Sequence, residues 1–394
     1  MKKTLKLLAT LLATAAITIC FASCANDSTS NPSAGTATTA STTTTDSTTT
    51  TPNTNNTNTT PRASVKIGIS MPVDDSGNWK NDGNNLKSKL ENLGHTVSLK
   101  FAENDANTQV SQLTAMIADG CKILIISTVD SSALTDVLNT AKGKSIPVVC
   151  YDRLATNTDA VSYYVTFNNK KVGTLQGNYL VNQFNLKTRT DANPVYMEFF
   201  AGAPTDNNSK VFFDGAMEIL QQYITSGVIV CRSGKTALAD CATAGWSTDN
   251  AKTRMSNILT TYYNTDETKK LDAVYCSSDC LSQGVWKALD EAGYTVGTNY
   301  PVITGQDCDT YAVKAIKDGK LAMSVFKDRR DLATKTCEVV DAICQKKTLP
   351  TKDTDTNNST IDVPTYLCDP VTVDKNNYQT LLIDSGYYKE SDIQ

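Results

Sequence analysis

"KILIISTVDSSALTDVLNTAKGKSIPVVCYDR", residues 122–153, carries one full period of the pattern that decides the fold. It opens on an apolar run, KILIIS, passes through a helical stretch, SALTDVLNTAKG, and closes on a second apolar run, IPVVCY. A strand with one wet face alternates apolar and polar residues. A run apolar throughout is buried on both faces, as in a parallel sheet covered by helices. The second run then breaks into Asp152 and Arg153. A charged pair at that point has three readings: a catalytic acid with its helper, a structural salt bridge, or two groups held out to a ligand.

Working outward, the same unit recurs. Upstream, VKIGIS is followed by DGNNLKSKLENLG, where Leu86, Leu90 and Leu93 share one helical face and Gly94 supplies a stop. TVSLKF then leads into a helix bearing Val110, Leu113 and Ile117. Downstream, the rhythm restarts at PVYMEFFAG and runs through VIVCRSG, LDAVYCSS, PVITGQD and LAMSVFK, with helical stretches such as GAMEILQQYITSG and SQGVWKALDEAG between them. The segment 350–360 is polar and reads as a loop. The pattern predicts an α/β protein of two Rossmann-like, doubly wound lobes.

In open α/β sheets, ligands bind beyond the carboxyl ends of the strands. Here the strands end in MPVDDSGNW, TVD, YDR, GAPTDNN, SSD, GQD and FKD. Asp and Asn also form turns and cap helices, yet so many such endings on one edge point to a polar site. Carboxylates, amides and guanidinium groups together suit a polyhydroxyl ligand, because each hydroxyl both donates and accepts. Trp79 and Trp246 are then either core residues or walls that cover the ligand's C–H patches.

With 394 residues the chain is long enough for two buried cores. A formal charge of -4 and the lack of a basic stripe broken by aromatics exclude a nucleic-acid partner. Lys2 and Lys3 precede an apolar stretch from Leu5 to Phe21, the order of an export signal. Phe21-Ala22-Ser23-Cys24 resembles a lipoprotein signal, which makes residues 1–23 a signal peptide and Cys24 the lipidated residue; Cys20, after Ile19, fits less well. Residues 24–61, rich in Thr, Ser and Asn, are then a spacer that cannot bury enough apolar surface to offset its ordering entropy. No other run reaches the roughly 18 to 20 apolar residues of a membrane span. The expectation is an exported lipoprotein, anchored to the outer face of the cell membrane or facing the periplasm.

Ten of the 12 cysteines lie beyond Cys20 and Cys24. An exported location permits disulfides, with Cys231–Cys241 and Cys337–Cys344 as open candidates. CSSDC, residues 276–280, has no second cysteine pair at zinc spacing, and the only histidine is His95, so neither metal nor cofactor is expected. A two-carboxylate hydrolase using Asp152 and Asp307 needs one carboxyl with a raised pKa. Arg153 beside Asp152 instead favours the ionised form. A single histidine also leaves no Ser-His or Cys-His arrangement in prospect, and no enzyme is expected.

KIGISMP, NWKNDGNN, YDRL, VTFNNKKVGTLQ, GAPTDNN, TGQD, VFKD and DSGYYKES occur in that order between Val65 and Gln394. Together they resemble the periplasmic sugar-binding proteins of ABC transporters, of the type I periplasmic-binding-protein family, and within it the branch that binds xylose and several other monosaccharides. The resemblance implies two lobes joined by three crossovers, residues 62–167 with 328–366 and residues 168–327 with 367–394, closing on ligand as a hinged trap. By that resemblance Asp152 and Arg153 would bind sugar hydroxyls from the first lobe, and Asp206, Asn208, Asp307 and Lys327 from the second. Trp79 and Trp246 would sandwich the ring, and Ser278 and Asp279 stand where relatives often present Asn-Asp. Asn168 stands near the first crossover, where xylose-binding relatives have Asp.

Asn78 stands where relatives carry Arg, and the two cannot make the same contacts. Lys80 either restores a cation or is an exposed lysine at a helix start. Xylose, glucose and galactose all stay open as ligands. The implied protein is a monomeric, membrane-anchored lipoprotein that captures a monosaccharide and delivers it to the permease of an ABC importer. The alternative is a sugar sensor that presents its closed form to a chemoreceptor or sensor kinase.

Overall fold

The computed structural model describes residues 64–74, 78–263, 270–350 and 355–393; the expected signal peptide, Cys24 and the spacer lie outside them. The first sheet begins with β1 (Lys66–Met71), β2 (Thr96–Phe101), β3 (Ile123–Ile126), β4 (Val148–Tyr151) and β5 (Val161–Phe167). Between them run α1 (Asn78–Asn92), α2 (Ala106–Ala118) and α3 (Thr135–Gly143). Through α4 (Asn169–Gln183) the chain reaches a second sheet of β6 (Val195–Phe200), β7 (Ile229–Val230), β8 (Ala273–Cys276), β9 (Val302–Gln306) and β10 (Met323–Phe326). Its helices are α5 (Asn207–Thr225), α6 (Leu238–Cys241), α7 (Thr248–Ile258), α8 (Asp279–Glu291) and α9 (Thr310–Asp318). Next, α10 (Arg329–Cys344) packs against α1, β11 (Asp355–Asn357) and β12 (Asp362–Cys368) join the first sheet, and β13 (Val371–Asp374) joins the second.

The strand orders are β11-β12-β5-β4-β3-β1-β2 and β13-β10-β9-β8-β6-β7. Pairing is parallel except where β11 meets β12 and β13 meets β10. In each sheet the first strand lies between the next two, so the order reverses there and opens a crevice at the carboxyl edge. The α/β class and the two doubly wound lobes are those the strand pattern predicts.

The apolar runs fill both faces as that pattern requires. Ile123, Ile125, Val149 and Tyr151 join a cluster with Leu86 and Leu90 of α1, while Leu124, Ile126, Val148 and Cys150 pack with Leu113 and Ile117 of α2. Successive residues of one strand thus feed opposite cores. The second sheet repeats this: Phe199 and Tyr275 face one core, Phe200 and Cys276 the other.

Polar residues at strand ends also start the helices. Asp105, Asn168, Asp206, Ser247 and Asp328 each accept a backbone N–H in the first turn of α2, α4, α5, α7 and α10, a contact worth about 1 kcal/mol apiece. The crossover helix α4 lies hard against α5, because a Cβ at Gly173 would strike the Phe212 carbonyl and one at Gly215 the Lys170 carbonyl. Cys231, Cys241 and Cys337 carry thiols, so neither candidate pair is bridged. No helix among the described residues is long and apolar enough to cross a membrane.

Candidate binding site

The same unusual turn occurs at the edge of both sheets. Asp152 follows β4 with φ 60°, and Asp307 follows β9 with φ 103°. Each sends its backbone N–H to the adjacent strand at 2.9 Å, Asp152 to Val165 O and Asp307 to Val325 O. Positive φ costs a side-chain-bearing residue about 1–3 kcal/mol, and Asp tolerates it better than most. Two such turns, one per sheet, bring a carboxylate from each side to the wall of a shared cavity.

That cavity has a volume of about 540 Å³, within the range of small-molecule sites. Asn78, Trp79, Asp152 and Arg153 line it from the first sheet's side, and Asp206, Asn208, Trp246, Ser278, Asp307 and Lys327 from the second. Two expected residues lie elsewhere. The Asn168 side chain accepts the Lys171 N–H at 3.0 Å as the cap of α4. The fully buried Asp279 carboxylate accepts the Ser324 hydroxyl at 2.8 Å and the Asp309 N–H at 3.0 Å, bracing the wall from behind. In both, a polar strand end serves the fold and is not available to the slot. Lys80 pairs with Asp74 at 2.9 Å, outside the lining.

The polar groups of the slot are cross-linked. Arg153 Nε lies 2.9 Å from Asp206 Oδ2, which also accepts the Trp246 indole N–H at 3.2 Å. Asn208 donates its amide to the Asp152 carbonyl at 2.9 Å and accepts from Asn169 and Tyr164. Lys327 pairs with Asp307 at 2.9 Å, and the Arg153 guanidinium lies 4.9 Å from the centre of the Trp79 ring. Trp246 fits because residue 202 is glycine: a Cβ there would overlap the indole.

Several side chains were not singled out by the sequence. Arg329, Asp309 and Gln306 line the cavity, and Asp82 stands behind Arg329. Asp82 had a signal, since it precedes Leu86 and Leu90 at four-residue steps and so shares their buried face. Arg329 had one too, as a cation in the first turn of a helix, against the dipole. Burial raises the Asp307 pKa, but Lys327, Arg329 and Arg153 outweigh it and hold the group below the usual carboxylate range. Burial first, then neighbouring carboxylates, push Asp309 and Asp279 upward, and the weaker pull of Arg329 on Asp309 does not offset this. Asp82 is lifted by burial to about 6, against the pull of Arg329.

Two parallel sheets whose switch-point edges face one another across a polar, tryptophan-flanked slot define a two-lobed binding protein. The periplasmic binding protein domain matches residues 67–348, and the chain belongs to that family. It is 41% identical over 330 residues to the multiple sugar-binding periplasmic receptor ChvE of Rhizobium radiobacter, spanning 83% of this chain and 92% of that one. It is 34% identical to the D-xylose-binding periplasmic protein of Escherichia coli K12, with 84% and 92% covered. An ABC transporter solute-binding protein from Clostridium phytofermentans, with bound β-D-glucose, superposes with a TM-score of 0.80 at 46% identity, covering 84% of this chain and 100% of that one.

Proposed function

We propose that this protein captures a monosaccharide between its lobes and delivers it to an ABC importer, without chemical change to the sugar. The observation that carries the reading is the slot: carboxylates, amides and cations ring a cavity with tryptophans in its walls. Gln306, 2% exposed, lines that cavity, and its buried Oε1 has no hydrogen-bond partner among the described residues. A sugar hydroxyl can donate to a carboxylate or to this amide oxygen and accept from a guanidinium. Because the ions are already paired with one another, a neutral ligand completes their hydrogen bonds without burying new charge. Asp152, Arg153, Asp206, Asn208, Asp307 and Lys327 are the proposed hydroxyl partners, with Trp79 and Trp246 against the ring. The names of the relatives and the glucose in the Clostridium protein support the sugar class, with glucose and xylose as the first ligands to test.

Calorimetry with glucose, xylose, galactose, arabinose and ribose tests the reading. Micromolar binding of at least one, about -8 kcal/mol, is the expected outcome; heat from none overturns it. Isotope-labelled sugar recovered unchanged from the complex supports pure binding, and any product argues for an enzyme. We also propose that Cys24 carries a lipid. Replacing it by Ala should move the protein from the membrane to the soluble fraction, and continued membrane retention would count against the anchor.

A further inference from the structure

The first residue of α10 is an arginine, and its side chain lines the cavity although it is only 8% exposed. Arg329 Nη1 lies 2.6 Å from Asp82 Oδ2 and 3.6 Å from Asp152 Oδ2, and its Nη2 lies 3.4 Å from Asp307 Oδ1. Its guanidinium carbon is 5.5 Å from the centre of the Trp79 ring. Asp82 and Asp152 belong to the first sheet's side, Asp307 to the second's. Helix position and burial both disfavour a cation here, so the carboxylates around it hold it in place.

We infer that Arg329 is a specificity-determining residue of the cleft, coupling the lobes by fixing the spacing of Asp152 and Asp307. This rests on the sugar-binding reading. Those two carboxylates occupy the strained turns that face one another across the slot, and their separation decides which pair of hydroxyls they meet. A planar guanidinium presents donors in a fixed fork and can hold both at once; a lysine ammonium is a single point charge. The other cations do not substitute. Arg153 is engaged with Asp206, and Lys327 approaches only Asp307 among the described carboxylates. Asn78, next to Trp79, gives its amide to Asp309 at 2.8 Å and adds no charge. The cluster's guanidinium therefore comes from α10, not from α1.

The test uses the full chain with Arg329→Lys and Arg329→Gln, titrated against the sugars that the parent binds, beside thermal melts without ligand. Arg329→Gln should weaken binding about 30-fold or more and Arg329→Lys about tenfold, and both should change the order of preference among sugars. A purely structural arginine would lower the melting temperature and leave that order intact. The inference is overturned if Arg329→Lys binds every sugar within about threefold of the parent, in unchanged order. Should Arg329→Gln fail to fold, the lysine variant carries the test, since it keeps the buried charge. The parent titration separately decides the sugar reading. If no sugar binds, small-angle scattering of the ligand-free proteins still decides the coupling: a larger radius of gyration in Arg329→Lys supports it, and equal radii overturn it.

Discussion

Asp82 shows how one buried carboxyl ties stability to pH. Its folded-state pKa of about 6 lies above the 3.8 of the free group. The native state therefore binds this proton more tightly than the unfolded chain does, and stability falls as pH rises between those values. Below about pH 4 both states are protonated and the penalty vanishes; above 6 it is fully present, on the order of 3 kcal/mol at most. Melting curves from about pH 4 to 7 should thus fall more steeply for the parent than for Asp82→Asn. Parallel curves would show that Asp82 does not titrate in this window. One helical turn earlier, Asn78→Arg removes the hydrogen bond that the Asn78 amide donates to Asp309 and adds a second guanidinium beside Arg329. The expected result is a reordered sugar panel in calorimetry, and an affinity change equal for all sugars would show that residue 78 does not set specificity.

At the scale of the element, the strand-to-loop turns do the positioning, and small residues make room for what they carry. Gly202 follows β6 in the turn beneath Trp246, whose own φ is 55° and whose indole is tethered to Asp206. Gly202→Ala should displace the ring, cost about 1–3 kcal/mol in stability and weaken sugar binding about tenfold, with a shift in tryptophan emission. An unchanged spectrum and affinity would mean that the wall tolerates the methyl. The central strands were legible because β3 and β4 are apolar at every position, a pattern that only two-faced burial explains. The edge was not legible: β11 is three residues within a polar segment that reads as loop, and it forms only by pairing with β12. The site was legible where a strand ended in a charge, as at Asp152 and Asp307. Asn168 and Asp279 have the same residue types at similar places, and only their local partners show them to be a cap and a brace. Arg329 meets Asp82 across 247 residues of chain, a distance that no local spacing records.

Across the whole molecule, the lobes touch through two kinds of contact. Some involve groups that also line the slot, such as Arg153–Asp206 and Asn78–Asp309. Others are made by Ser131, at the rim and not in the lining: its hydroxyl accepts the Asn207 N–H at 3.2 Å, and its N–H donates to the carbonyl of Thr205, a lining residue, at 3.0 Å. The chain passes between the sheets three times, and the closure that the proposed capture requires would be a hinge motion on that fixed set of connections. A ligand that binds the closed form is weakened by whatever fraction of the protein is open, and this factor is the same for every ligand. Ser131 is buried and absent from the cavity lining, so Ser131→Ala should act only through that factor. Removing one hydrogen bond worth about 0.5–1.5 kcal/mol should lower the affinity for each bound sugar by a common factor of about two to ten, with the order of preference kept. Calorimetry over the same panel reads this directly. Unequal losses would place Ser131 in contact with the ligand, and no loss would remove this contact from the closure equilibrium. The contrast with Asn78→Arg separates the two roles of the interface, since one substitution should change how firmly the trap shuts and the other what it shuts on.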